Sequence, residues 1–203
     1  DTNLLASSSV SGRVAIWDLE GEEERFSTKF PDPVLLMDWA SYGDKIAVVT
    51  ESGSVQVWDY RQDKTTKLHS ANKDSKVLRW HPRIPTKFLL GAADGSVLVF
   101  DQPSGKKVQI IGKAKTSKDP VTDAQWDPLS EDYMLVAFQD GCLTLYDAST
   151  QREIHSFDKQ SQTIRCIAWA TSQPGNFITC TERVGVLRLW NVSQRGPLSQ
   201  IKV

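Results

Sequence analysis

Cysteine is scarce: Cys142, Cys166 and Cys180 are the only three among 203 residues, an odd number without metal-ligand spacing. That count excludes a disulfide framework and reads as reduced thiols in a reducing compartment. The location expected is therefore cytoplasmic, with cytoskeletal, ciliary and nuclear sites left open. Long apolar runs are missing as well. The longest, "KIAVVT" and "KFLLGAA", are of strand length and far too short to cross a bilayer. No basic start leads into an apolar stretch, so no secretory signal is read. A formal net charge of −1 and an ordinary apolar fraction give no sign of disorder or of a polyanion binder.

Catalytic signatures are absent too. There is no Gly-x-Ser-x-Gly, His-Glu-x-x-His or Cys-x-x-Cys. "SGKK" (104–107) fails as a phosphate loop, because Phe100 stands where a glycine is required and Lys107, not Ser or Thr, follows Lys106. The histidines His69, His81 and His155 assemble no triad, and no carboxylate pair stands out. The sequon "NVS" (191–193) ends a predicted strand in a chain without an export signal and carries little weight. The reading is a non-enzyme with no catalytic residue, no metal site and no cofactor.

What is present is one phrase written five times: "VSGRVAIWD" (10–18), "ESGSVQVWDYR" (51–61), "DGSVLVFD" (94–101), "DGCLTLYD" (140–147) and "VGVLRLWN" (184–191). Its aromatic residues, Trp17, Trp58, Phe100, Tyr146 and Trp190, are spaced by 41, 42, 46 and 44 residues. A second series, Trp39, Trp80, Trp126 and Trp169, precedes the last four, and together the two series hold all seven tryptophans. A period of about 40–45 residues with four short strands per unit marks a propeller blade. Blade 2 shows it plainly: "VLLMDWA" (34–40), "KIAVVTE" (45–51), "SVQVWDY" (54–60) and "KTTKLHS" (64–70) alternate apolar and polar residues between turn residues. Glycines at 12, 53, 95, 141 and 185 fit hairpins that need positive φ.

These residues resemble the WD40 family, whose repeats end in Trp-Asp and fold as the blades of a circular β-propeller. The fold class expected is all-β, in one propeller segment with a partial blade 1 over 1–32 and blades 2 to 5 over 33–72, 73–118, 119–160 and 161–203. Blade 1 starts at its second strand, so the expectation is part of a larger propeller of seven blades or more, with a closed five-bladed ring as the alternative. The sequence departs from the family in lacking its Gly-His pair in every repeat. The family's hydrogen-bonded Asp-His-Ser/Thr-Trp set is thus not expected in its usual form, and aromatic packing takes more of the work.

The resemblance also implies where function lies. In this family the loops entering each blade and the hairpins between second and third strands share one face, the top. Here that face gathers Lys73, Lys76, Lys113, Lys115, Lys118, Lys159, Arg165 and Arg183 against Glu51, Asp74, Asp94, Asp119 and Asp140. The bottom loops "EGEEER" (20–25), "SYGD" (41–44) and "DPLSED" (127–132) are acidic. Positions that contact partner peptides in the family fall on Leu35, Lys76, Thr122 and Arg165, and on Glu51, Ala93, Gln139 and Arg183. Lys76, Arg165 and Arg183 point to an acidic or phosphorylated partner segment. "WDYR" (58–61) resembles an ending used by ubiquitin-ligase substrate receptors, which makes Arg61 a candidate adaptor contact. No adjacent Arg pair supports phosphoinositide binding. The tryptophans occupy repeat positions, so no nucleic acid is expected. The expected role is a protein-binding scaffold in a larger complex, of the kind found in vesicle-coat or ciliary transport assemblies.

Overall fold

The structure is a computed structural model that describes residues 3–70, 74–101, 106–111, 119–183 and 185–202. Among them it is all-β. Five antiparallel sheets follow one another along the chain, each with its strands in sequence order. The first has three strands, β1 (Leu4–Ser8), β2 (Arg13–Asp18) and β3 (Glu23–Lys29). The second holds β4 (Val34–Trp39), β5 (Lys45–Thr50), β6 (Ser54–Asp59) and β7 (Lys64–Ser70). The third holds β8 (Ser75–Trp80), β9 (Lys87–Ala92), β10 (Val97–Asp101) and β11 (Lys106–Ile111). The fourth holds β12 (Val121–Trp126), β13 (Tyr133–Phe138), β14 (Leu143–Asp147) and β15 (Arg152–Ser156). The fifth holds β16 (Ile164–Trp169), β17 (Asn176–Thr181), β18 (Val186–Asn191) and β19 (Ser199–Lys202). The repeated phrase forms β2, β6, β10, β14 and β18, the next-to-outermost strand of every sheet.

The sheets stack face to face as blades. Their innermost strands meet in order, β4 with β8, β8 with β12 and β12 with β16. Strands β5, β9 and β13 are buried almost end to end because a neighbouring sheet covers each face. Burial on β17 alternates instead, since no further sheet packs on its outer side among the described residues. Four apolar clusters sit between successive blades. One joins Leu135, Leu143 and Phe157 of blade 4 to Ile164, Phe177 and Trp190 of blade 5. Trp58, Trp80, Trp126 and Trp190 are fully buried in such layers, while Trp17, Trp39 and Trp169 are half-buried. Phe100 stacks on Phe88 at 4.8 Å, and Tyr146 packs with Met134.

The aspartate of the Trp-Asp pair has a local task. Asp18 Oδ1 accepts the amides of Glu20 at 2.9 Å and Gly21 at 3.3 Å, and these bonds hold its carboxyl below the usual carboxylate range. Asp59 does the same for Gln62, Asp147 for Ser149 and Thr150, and Asn191 for Ser193. Each is an Asx turn that starts the hairpin to the outer strand. Asn191 of the sequon is thereby occupied, and it also bonds Asn176 at 2.6 Å. Three of these hairpins place a non-glycine residue in the left-handed region: Glu22 at φ 50°, Asp63 at 49° and Gln151 at 58°. Gln151 is exposed. We expect Gln151→Gly to raise stability by about 0.5 kcal/mol and Gln151→Val to lower it by about 1 kcal/mol, measured by urea unfolding.

The expected loss of the family's polar set is only partly seen. In blade 5 the Trp190 indole donates to Thr179 Oγ1 at 3.0 Å, and Gln160 Nε2 donates to the same oxygen at 3.2 Å. Gln160 Oε1 accepts Arg188 Nη1 at 2.7 Å. Gln160 therefore does the bonding that the family gives to histidine. Blade 1 keeps the shorter pair, Trp17 Nε1 to Ser7 Oγ at 2.9 Å.

Two carboxylates, Asp38 half-buried and Asp123 buried, tie neighbouring blades. Asp38 accepts the Trp80 amide, and Asp123 Oδ2 accepts the Ile167 amide at 2.8 Å. Burial raises both carboxyls, and these amide bonds counter the shift. Indole donors reinforce the ties: Trp126 Nε1 to Arg79 O at 3.2 Å and Trp169 Nε1 to Gln125 O at 3.5 Å. On the underside, Arg83 Nη1 donates to Leu129 O at 3.1 Å, while Lys87 Nζ reaches Asp132 at 3.0 Å and Glu131 O at 3.2 Å. The acidic loop 127–132 is thus clasped by blade 3. The loop 20–25 has its own counterions, Arg25 on Asp18 and Arg13 on Glu24.

Candidate partner-binding site

At the top, one backbone hydrogen bond recurs in every four-stranded blade. The amide just after the second strand donates to the carbonyl just before the first: Glu51 to Pro33, Ala93 to Asp74, Gln139 to Pro120 and Glu182 to Thr163, at 2.8–3.0 Å. It pins each hairpin beside the start of its inner strand. Tight glycine turns make this possible. A Cβ at Gly141, where φ is +86°, would collide with the Gln160 carbonyl oxygen.

The pinning aligns blades 3, 4 and 5 around a cleft of about 550 Å³. Lys76, Thr122 and Arg165 enter from the inner strands, Ala93, Gln139 and Glu182 from the hairpins, and Pro120, Val121 and Thr163 complete the wall. The Thr163 hydroxyl donates to Gln139 O at 2.8 Å. The Thr122 hydroxyl is buried there without a hydrogen-bond partner. Lys76 is exposed and has no ion pair among the described residues. Among the described residues Arg165 has only Glu182, at 3.9 Å, with both side chains exposed. A pair that long and solvated is worth less than about 1 kcal/mol and is easily displaced.

Of the residues expected from sequence, the structure brings together Lys76, Ala93, Thr122, Gln139 and Arg165. Leu35 and Glu51 take the equivalent places in blade 2 and do not line the cleft; Leu35 is exposed. Arg183 also lies off the lining, with Glu182 in its expected place. The hairpin of blade 5 is one residue longer than that of blade 4, since Cys180 pairs Leu187 where Ala137 pairs Leu143. Lys73, Lys113, Lys115 and Lys118 lie outside the described residues. Lys159 is spent on Asp140 at 2.7 Å. Burial opposes ionisation of Asp140, but Lys159 and Cys142 hold it below the usual range. The Cys142 thiol, pushed up to about 11 by burial and by Asp140, stays protonated and donates to that carboxylate.

Arg61 is on the opposite face. Its Nε donates to Asp44 Oδ1 at 2.7 Å, and Tyr60 donates to the same oxygen at 2.9 Å. The Arg61 side chain is half-exposed. Chemically, the top cleft offers cationic and hydroxyl donors with a mixed floor, and among the described residues no histidine or cysteine lines it. No group of three or more metal-ligating side chains occurs among the described residues, and no helix is long and apolar enough to cross a membrane.

Comparison with known proteins agrees with this architecture. WD repeat-containing protein 19 of Mus musculus is 27% identical over 144 residues, covering 70% of this chain and 10% of that protein. The chain thus spans about a tenth of that relative's length. Protein transport protein sec13 of Aspergillus clavatus is 24% identical, covering 98% of this chain and 79% of that protein. The crystal structure of the computationally designed Ika8 protein superposes with a TM-score of 0.78 over 99% of this chain and 59% of that one, at 16% identity, a likeness of fold alone. The model of the anaphase-promoting complex subunit 4 WD40 domain matches residues 88–172, and that of the WDR19 first β-propeller matches residues 1–127. With its five repeats, its blade-by-blade sheets and these matches, the chain belongs to the WD40-repeat β-propeller family, in the group described as the WDR19 first β-propeller.

Proposed function

We propose that this chain is a non-catalytic scaffold whose top cleft, across blades 3 to 5, recognises acidic or phosphorylated segments of partner proteins within a multiprotein assembly. One observation carries the reading: Lys76 and Arg165 flank the same cleft with no strong internal partner, around a buried and unpartnered Thr122 hydroxyl. Buried hydroxyls ordinarily find a partner, and an incoming oxyanion supplies one. Arginine adds planar, paired donors suited to carboxylate or phosphate. Similarity to sec13, a protein transport protein, supports a place in a transport assembly. The ligase-adaptor reading rests on Arg61 alone, whose Nε already serves Asp44.

The test uses a labelled Glu-rich probe peptide, with and without one phosphoserine, followed by fluorescence anisotropy at low and physiological salt. A Lys76→Glu, Arg165→Glu double variant with unchanged melting temperature should bind at least about tenfold more weakly, the cost of two lost charge-assisted contacts. Wild-type binding should also weaken with salt. Equal affinity for the variant and the wild type would remove the cleft from consideration.

A further inference from the structure

We propose that Cys166 and Cys180 form a cross-strand dithiol that closes to a disulfide by exchange with a low-molecular-weight disulfide. The two residues stand directly opposite each other on β16 and β17. The ladder fixes how they face. Ala170 donates to Asn176 O at 2.9 Å, so counting two residues at a time makes Ala168–Ile178 and Cys166–Cys180 hydrogen-bonded pairs. The Ile167 amide, one residue out of phase, accordingly points away to Asp123. Residues in such a pair share one sheet face, with Cα atoms about 5.5 Å apart, inside the window of about 4.4–6.8 Å that a disulfide spans. The Cys180 thiol donates to Thr181 O at 3.7 Å, a bond it gives up on ionising.

Among the described residues no further sheet covers this face, where Cys166 is exposed, Cys180 half-buried, and Ala168 and Ile178 exposed. The remaining thiol, Cys142, is engaged by Asp140 on another blade and serves as an internal control. With oxidised glutathione, the Cys166 thiolate attacks one sulfur of the reagent, forming a mixed disulfide and releasing one glutathione thiolate. The Cys180 thiolate then attacks Cys166 Sγ, the sulfur–sulfur bond to glutathione breaks, and a second glutathione thiolate leaves. Two protein thiols are oxidised, one glutathione disulfide is reduced, and the two thiol protons end on the two released glutathiones. The new bond lies one residue from Arg165 and two from Glu182, so it braces the rim of the cleft. Its formation does not depend on what the cleft binds.

The reduced chain is incubated with oxidised glutathione at pH 8.5, because burial, Cys180 and Asp123 together hold the Cys166 thiol above its ordinary range. We expect a whole-chain mass loss of about two daltons and chymotryptic peptides joined through Cys166 and Cys180. Cys142→Ser should behave as wild type. Cys166→Ser and Cys180→Ser should each stop at a glutathione adduct on the surviving partner. Wild-type protein that carries separate adducts on both cysteines, joins either one to Cys142, or leaves both thiols free while the urea-unfolded chain reacts would overturn the proposal.

Discussion

Trp190→Ala should cost about 4 kcal/mol of unfolding free energy, whereas Trp190→Phe should cost only about 1.5 kcal/mol. Trp190 is 1% exposed. It stacks on Phe177 with ring planes 5° apart and meets Phe157 edge-on at 5.8 Å, so truncation opens a cavity in the layer between blades 4 and 5. Phenylalanine keeps most of that packing and loses the indole bond to Thr179. Thr179 Oγ1 would still have Gln160, which limits the loss to a single hydrogen bond. Urea unfolding of both variants, with Thr179→Val as a third, separates the two contributions. If Trp190→Phe proved as damaging as Trp190→Ala, the polar set, not aromatic packing, would be holding this blade.

Acid should weaken the fold through His81. Its Nδ1 accepts the amides of Arg83 and Ile84 at 3.1 and 3.0 Å, its ring lies 4.8 Å from Trp126, and it is fully buried. Burial first, then the Lys87 charge, lowers its pKa from 6.5 to about 4. The folded state therefore stays neutral while the unfolded chain protonates. The resulting stability is fully present above pH 6.5 and is lost as pH falls toward 4. At about 1.4 kcal/mol per unit, the loss is about 3 kcal/mol. His81→Asn supplies a side-chain acceptor for the two amides and cannot titrate. It should start less stable at pH 7 through lost ring packing, then show a shallower decline. Parallel slopes for the two proteins between pH 6.5 and 4.5 would exclude His81 as the cause.

Much of the architecture was legible because it is periodic. Two-residue alternation located the strands to within a few residues, and the tryptophan spacing set the blades. The Trp-Asp aspartate was read as a family mark, and the structure gives its physical reason, an Asx turn. Other features escaped. Gln160 was hidden because the bonding it performs was sought in a histidine. Glu182 was missed because one extra hairpin residue shifted the register and put Arg183 in its expected place. Nothing local in sequence signals that Asp38 and Asp123 reach across to the next blade, since each partner is more than forty residues away. Nor does the sequence signal that Arg83 and Lys87 engage the acidic loop 127–132 from the blade before it.

Those reaching contacts give the stack a direction. Along the inner strands the amide and indole ties have their acceptors on the earlier blade, at Asp38, Arg79 O, Asp123 or Gln125 O, and their donors on the later one, while the Arg79–Asp123 ion pair runs the other way. Each blade is thus chemically two-sided, like a brick with a groove on one face and a tongue on the other. A blade turned to face backwards would part these amide and indole donors from their oxygens, so the order of the blades is written into the surfaces as well as into the chain that links them.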